Sequence, residues 1–252
     1  MISPAPSLVC WLLVLRTDRS NGFCLREKGT IGLVANKTNA VLQVTDLVKT
    51  YGDHAVLNGI NLTVSAGEAV ALVGRNGAGK STLLRCLVGA ERPTSGTVEF
   101  LGRTMKETDI EVRRHLATVL DDLDFFPDLS VVEHLDLLAR AHAVDDPEGV
   151  VDELLAEIDL VPQSGQLPGT LSSGQRRRLA LATALVRPCK LIIMDEPEQR
   201  LDVEGIEWLG ARLKREAENG KAIVMACHDP DLIKAVGAKV VRIGQRSSKA
   251  EL

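Results

Sequence analysis

Nine consecutive residues, Gly74-Arg75-Asn76-Gly77-Ala78-Gly79-Lys80-Ser81-Thr82, fit the pattern G-x-x-x-x-G-K-[ST]. Glycines at these spacings let the backbone curl so that successive N–H groups point inward at phosphate oxygens. A helix N-terminus directly behind them adds its partial positive charge. Lys80 has the reach to meet β- and γ-phosphates, and the Ser81 hydroxyl is a ligand suited to Mg²⁺. The pattern works only between a strand and a helix. The apolar run 68–73 reads as a buried strand and residues 82–88 as the first turns of a helix. The expectation is a bound nucleoside triphosphate.

Three further groups bear on what happens to that triphosphate. Residues 190–196 form an apolar strand that ends in Asp195 and Glu196, and carboxylates at a strand C-terminus open into the ligand crevice of an α/β sheet. Asp195 is placed to orient Mg²⁺ through its water shell, and Glu196 to polarise an attacking water. Leu171-Ser172-Ser173-Gly174-Gln175 precedes a helical run and forms a second polar, glycine-containing helix start. One nucleotide is already cradled by the first loop, so the second makes most sense for a nucleotide held by another subunit. The triplet Arg176-Arg177-Arg178 reads as a solvated helix face. His228 ends the strand 222–227, where an imidazole can touch a γ-phosphate, and Tyr51 offers a ring on which adenine can stack. Cys227 beside His228 is no metal pair, because neighbouring strand side chains point to opposite faces.

The elements that must position these groups follow from hydrophobic period. Residues 41–44 and 60–64 alternate as half-buried antiparallel strands, with Asn58-Gly59 read as turn chemistry, and 97–100 form another short strand. Ser130-Val131-Val132-Glu133 is a capping box whose helix places Val131, Leu135 and Leu138 on one face. Pro147 opens a further helix, with Val150, Val151, Leu154, Leu155 and Ile158 at helical spacing. Strand character returns at 191–194, 222–225 and 239–243, separated by helices as in a parallel sheet. The fold class expected is α/β: a P-loop NTPase core with an antiparallel β subdomain and an inserted helical lobe at about 105–183.

Apolar content of 45% and charged content of 25% are ordinary for a globular chain, and 30 basic against 34 acidic residues leave a net charge of −4. That balance gives no global pull toward nucleic acid or anionic lipid. Five cysteines without a C-x-x-C spacing read as small apolar residues of a reducing compartment. No stretch reaches the length of a membrane-spanning helix. The apolar run 8–15 lacks the flanks of a signal peptide. Residues 1–40 are read as a loose or misassigned extension, with a docking or membrane-surface segment as the other reading, 41–245 as the cassette domain, and 246–252 as a short polar tail.

On these motifs the chain resembles the nucleotide-binding subunit of ATP-binding cassette (ABC) transporters over about residues 41–243. Residues 74–82 resemble its Walker A motif, 171–175 its signature motif (usually L-S-G-G-Q) and 191–196 its Walker B motif. Residues 197–202 are similar to its D-loop, His228 to its switch histidine and Tyr51 to its adenine-stacking aromatic, with Val56 also among the nucleotide-binding positions. The resemblance implies a Mg²⁺-dependent ATPase with Glu196, His228 and Lys80 as catalytic residues. Two such domains stack head to tail, so that Ser172, Ser173, Gly174, Gln175 and Asp202 of one close over the nucleotide on the other. It implies a transmembrane permease and a second ATP-binding subunit as partners, no nucleic acid, and a cytoplasmic location on the inner face of the membrane. The short tail after Ile243 favours an exporter over an importer. A soluble cassette ATPase acting on ribosomes or DNA is the alternative, and it usually carries paired cassettes or long insertions. Two departures stand out. The family's V-P-Q run is here Val119-Leu120-Asp121, so Asp121 replaces an amide as a metal-site candidate, with Asp122 next to it. The usual S-G-L-D of the D-loop is Gln199-Arg200-Leu201-Asp202.

Overall fold

The computed structural model describes residues 40–120 and 125–244. Expectations for residues 1–39, for Asp121 and Asp122 and for the tail 245–252 lie outside the described residues. Strand β1 (Ala40–Tyr51) pairs antiparallel with β2 (His54–Ser65) on one side and β4 (Ser95–Phe100) on the other, and β5 (Arg103–Thr104) completes a sheet of order β2-β1-β4-β5. The chain reverses between β1 and β2 at Gly52-Asp53. The Asn58-Gly59 turn is therefore corrected: both residues lie inside β2. Gly59 keeps a φ of +66°, but the pairing of β1 with β2 is irregular here, with register shifts either side of Leu47, so the positive φ sits in a bulged stretch rather than a reversal. Asn61 fixes that irregularity by accepting the Asp46 N–H at 3.0 Å and donating to the Asp46 carboxylate at 2.8 Å.

The second sheet is parallel, of order β6-β7-β8-β3-β9, built from β3 (Ala69–Val73), β6 (Leu116–Val119), β7 (Leu191–Asp195), β8 (Ala222–Ala226) and β9 (Lys239–Arg242). Its central strands are buried on both faces, and alternate residues feed two separate cores, as a parallel sheet covered on both sides requires. Val70, Leu72, Leu191, Ile193 and Val224 join the antiparallel sheet and helix α1 (Lys80–Val88). Ala71, Ile192, Met194, Ile223 and Met225 join the helices of the opposite side. The span 105–183 is not helical throughout. Short α2 (Ile110–His115) leads into β6, which belongs to the sheet, and the long helices follow only after it. These are α3 (Val131–Ala141), α4 (Pro147–Glu157) and α5 (Ser173–Leu185). Ser130 and Glu133 form the expected capping box, and Pro147 stands in the first turn of α4. Two more helices, α6 (Val203–Glu218) and α7 (Pro230–Val236), connect the later strands. Among the described residues no helix is long and apolar enough to cross a membrane.

Candidate functional site: a phosphate loop, a strand-end carboxylate pair and a separate helix start

β3 delivers the chain to the loop 74–79, and α1 begins at Lys80. Gly79 is the N-cap of α1 with φ +97°, a left-handed conformation that glycine adopts without penalty. No side chain caps this helix, so its first N–H groups face the loop opening. Gly74 is required by close approach: a Cβ there would lie 2.6 Å from the Ile243 carbonyl. The loop, His228, Arg242, Ile243 and Gly244 line a cavity of about 890 Å³. Arg75, Asn76 and Gly77 are exposed on it and Ala78 is half-buried. Lys80 is only 5% exposed and its Nζ donates to the Gly74 carbonyl at 3.1 Å, so the ammonium is held across its own loop. Ser81 and Thr82 follow in the first turn, both half-buried. Val56 packs against the loop, its Cγ1 2.9 Å from where a Cβ on Gly79 would stand.

Tyr51 is half exposed. Its hydroxyl donates to Glu91 and lies beside Thr82, and Lys49 sits 4.9 Å from its ring centroid. The Glu91 carboxylate that accepts the phenolic proton raises the tyrosine's pKa. These contacts tie the ring to Glu91, just past the end of α1, and to Thr82 in its first turn.

β7 ends at Asp195, paired with Ala226 of β8, and Glu196 continues by donating its N–H to the Ala226 carbonyl at 2.8 Å. Glu196 has φ +43°, unusual for a non-glycine residue. Its carboxylate faces His228, Nε2 to Oε1 3.4 Å, and accepts from the Gln199 side-chain amide. Glu198 holds His228 from the other side by accepting its N–H at 2.7 Å. His228 thus touches the carboxylate turn and also lines the cavity of the phosphate loop. Cys227 is buried, and burial pushes its thiol up to about 12, so it stays protonated.

The remaining candidates form a second cluster. Ser172 is the N-cap of α5, accepting from the Gln175 N–H at 3.2 Å while Gln175 accepts the Ser172 N–H at 2.9 Å. Ser173 is exposed in the first turn. Gly174 lies under the D-loop: a Cβ on it would be 3.1 Å from the Arg200 carbonyl. Asp202 caps α6 through the Gly205 N–H at 2.9 Å and pairs with Arg178 at 2.8 Å, a contact that lowers its carboxyl pKa. Asp159, Ser172, Gly174, Gln175, Arg178, Arg200 and Asp202 line a pocket of about 250 Å³ that shares no residue with the phosphate-loop cavity.

The arginine triplet is corrected. Only Arg176 is exposed; Arg178 also donates to the Ile158 carbonyl at 3.2 Å, and Arg177 is 7% exposed with carbonyls of residues 195–197 as acceptors. Arg177, Glu198 and Gln199 were missed as site residues. Only Arg177 carried a signal: it shares helical spacing with buried Leu181 and Ala184.

A phosphate loop at the end of one parallel strand and a carboxylate pair at the end of another define a P-loop ATPase. Residues 57–199 match the family model described as ABC transporter. The chain is 33% identical over 205 residues to the SkfA peptide export ATP-binding protein SkfE of Bacillus subtilis (strain 168), covering 81% of this chain and 85% of that one. It is 31% identical over 216 residues to the arginine transport ATP-binding protein ArtM of the same organism, covering 81% and 88%. The fold matches the dimeric post-hydrolysis structure of the ATP-binding cassette MJ0796 bound to ADP and Pi, with a TM-score of 0.71 and 25% identity over 80% of this chain and 94% of that one. The chain belongs to the ABC transporter family as one of its ATP-hydrolysing cassettes.

Proposed function

We propose that this cassette powers a multisubunit exporter, binding Mg²⁺-ATP between its own phosphate loop and the α5 start of a second ATP-binding subunit. The observation that supports the paired site is that the loop 74–79 and the start of α5 line separate pockets within one chain, as the two halves of a shared site would. The loop 74–79, Lys80, Ser81 and Thr82 hold the phosphates, with Tyr51 and Val56 flanking the base. Ser81 and Asp195 supply hard oxygen donors of the kind Mg²⁺ takes when phosphates and water complete its shell, and Asp121 is a third candidate. Held by these oxygens, the metal would neutralise developing charge on the phosphates. Glu196 polarises the attacking water, His228 orients toward the γ-phosphate, and Lys80 draws charge from the β- and γ-oxygens. Ser172, Ser173, Gly174, Gln175 and Asp202 serve the nucleotide of the other subunit. A transmembrane permease carries the substrate and holds the cassette at the inner face of the membrane.

The export direction is supported by the name of SkfE; import is the second reading, supported by the name of the methionine import ATP-binding protein MetN of Brucella abortus (strain 2308), to which the chain is 30% identical over 208 residues. Glu196→Gln tests the ATPase half. Turnover should fall about 10²–10⁴-fold, the usual worth of a positioned general base, with ATP affinity retained and an ATP-bound dimer accumulating on size exclusion. Turnover at the wild-type rate would remove Glu196 from this role, and a monomer at saturating ATP would sink the paired site. Co-purification from membranes should bring down a permease; ribosomes or DNA in its place would overturn the transport reading.

A further inference from the structure

Arg177 stands in the first half of α5, on the face that also carries Leu181 and Ala184, and is 7% exposed. An arginine stays charged in such a place, so its donors must find acceptors. They find three consecutive backbone carbonyls. Nη2 donates to Asp195 O at 3.0 Å and to Glu196 O at 2.7 Å, and Nε to Pro197 O at 3.4 Å. Those carbonyls belong to the turn by which the chain leaves β7, and in the middle of that turn Glu196 takes its φ of +43°. A side-chain-bearing residue keeps a left-handed conformation only where its surroundings fix it. The planar guanidinium does so with donors in a rigid fork, which a lysine's single ammonium does not reproduce.

We infer that Arg177 is a positioning residue for Glu196. By gripping the carbonyls on both sides of that residue and its own, it holds the backbone conformation that aims the Glu196 carboxylate at His228, 3.4 Å away. The grip comes from α5, the helix that starts at the Ser172–Gln175 capping box. The base of one half-site is therefore set by the helix whose start serves the other. This rests on the reading of Glu196 as the general base.

The test uses the full chain, with single-turnover and steady-state ATPase assays on wild type, Arg177→Met, Arg177→Lys, Glu196→Gln and the double variant Arg177→Met/Glu196→Gln. Arg177→Met should lower kcat by about 10- to 100-fold, the cost of misplacing a reacting group by about an ångström. KM and nucleotide affinity should stay within about twofold, since the phosphate loop is untouched. Arg177→Lys should recover part of the loss. In the Glu196→Gln background the Arg177→Met change should cost nothing further, because the group it positions is already disabled. An equal fractional loss in both backgrounds would show that Arg177 acts on stability or nucleotide binding and would overturn the proposal, as would unchanged kcat in Arg177→Met. Should Arg177→Met fail to fold, Arg177→Gln, which keeps a donor, is compared with Arg177→Lys in both backgrounds under the same criteria. Wild-type turnover in Glu196→Gln alone would instead overturn the reading of Glu196 itself.

Discussion

Asp121, proposed above as a third metal candidate, stands in the sequence where the family it resembles carries an amide, and on that reading would add a carboxylate to the proposed site of Asp195 and Glu196. A carboxylate binds a hard cation more strongly than an amide oxygen does. If Asp121 is so placed, three carboxylates and a triphosphate would repel one another without metal. The chain should therefore show a steeper Mg²⁺ requirement than Asp121→Gln, which should bind metal-free nucleotide as well or better. ATPase titrations against free Mg²⁺ check this, with Asp122→Asn beside them; superimposable curves for all three proteins would show that neither carboxylate senses the metal. The phosphate loop was legible because its parts are contiguous: a turn needing glycine, a lysine and a hydroxyl fall within nine residues. The placing of Asp195, Glu196 and His228 at or just past strand ends was legible because apolar strand runs stop there. For Arg177 helical spacing signalled burial but not its acceptors, and Glu198 gave no signal, because each serves backbone groups brought near only by the fold: Glu198 meets the backbone N–H of His228, thirty residues on.

At the level of elements, one ion cluster joins the end of α4 to the flank of α6. Glu157 pairs with Arg212 at 2.5 Å and with Arg215 at 2.7 Å, and Glu216 joins Arg212 at 2.8 Å and Lys221 at 2.5 Å. Burial raises the Glu157 carboxyl, but the two guanidinium groups outweigh it and leave it below the ordinary value. A depressed carboxyl contributes stability that is fully present above its unfolded pKa and is lost as pH falls through the folded value. Glu157→Gln should therefore melt below wild type at neutral pH, and the gap should close as pH drops below about 4.5. A Tm gap that stays constant from pH 7 to acid would show that the pair does not hold α4 to α6. Caps and helical spacing made α3 and α4 legible, since a serine–glutamate box and an N-terminal proline act locally. Asn58-Gly59 misled because its local preference for reversal is overridden by β1–β2 pairing on both sides of it, at Leu57 and Ile60.

For the molecule as a whole, period revealed the strands but not their neighbours. The order β6-β7-β8-β3-β9 joins residues 69–73 to 222–226 and 239–242, contacts that no local pattern encodes. Within that order β7, an inner strand, hands the chain to Glu196. A left-handed backbone costs a side-chain-bearing residue about 1–2 kcal/mol relative to glycine, and in a domain of this size each such unit moves Tm by about 2–4 °C. The hydrogen bond from Gln199 and the contact with His228, which a glycine cannot make, are partly solvent-exposed and offset little of this. Glu196→Gly should therefore melt a few degrees above wild type while losing turnover, as calorimetry beside an ATPase assay would show; a lower Tm would mean that the turn is not under backbone tension. On the proposed reading the turn thus gives up heat resistance for turnover: the residue that would make the chain hardiest is one that could not polarise water.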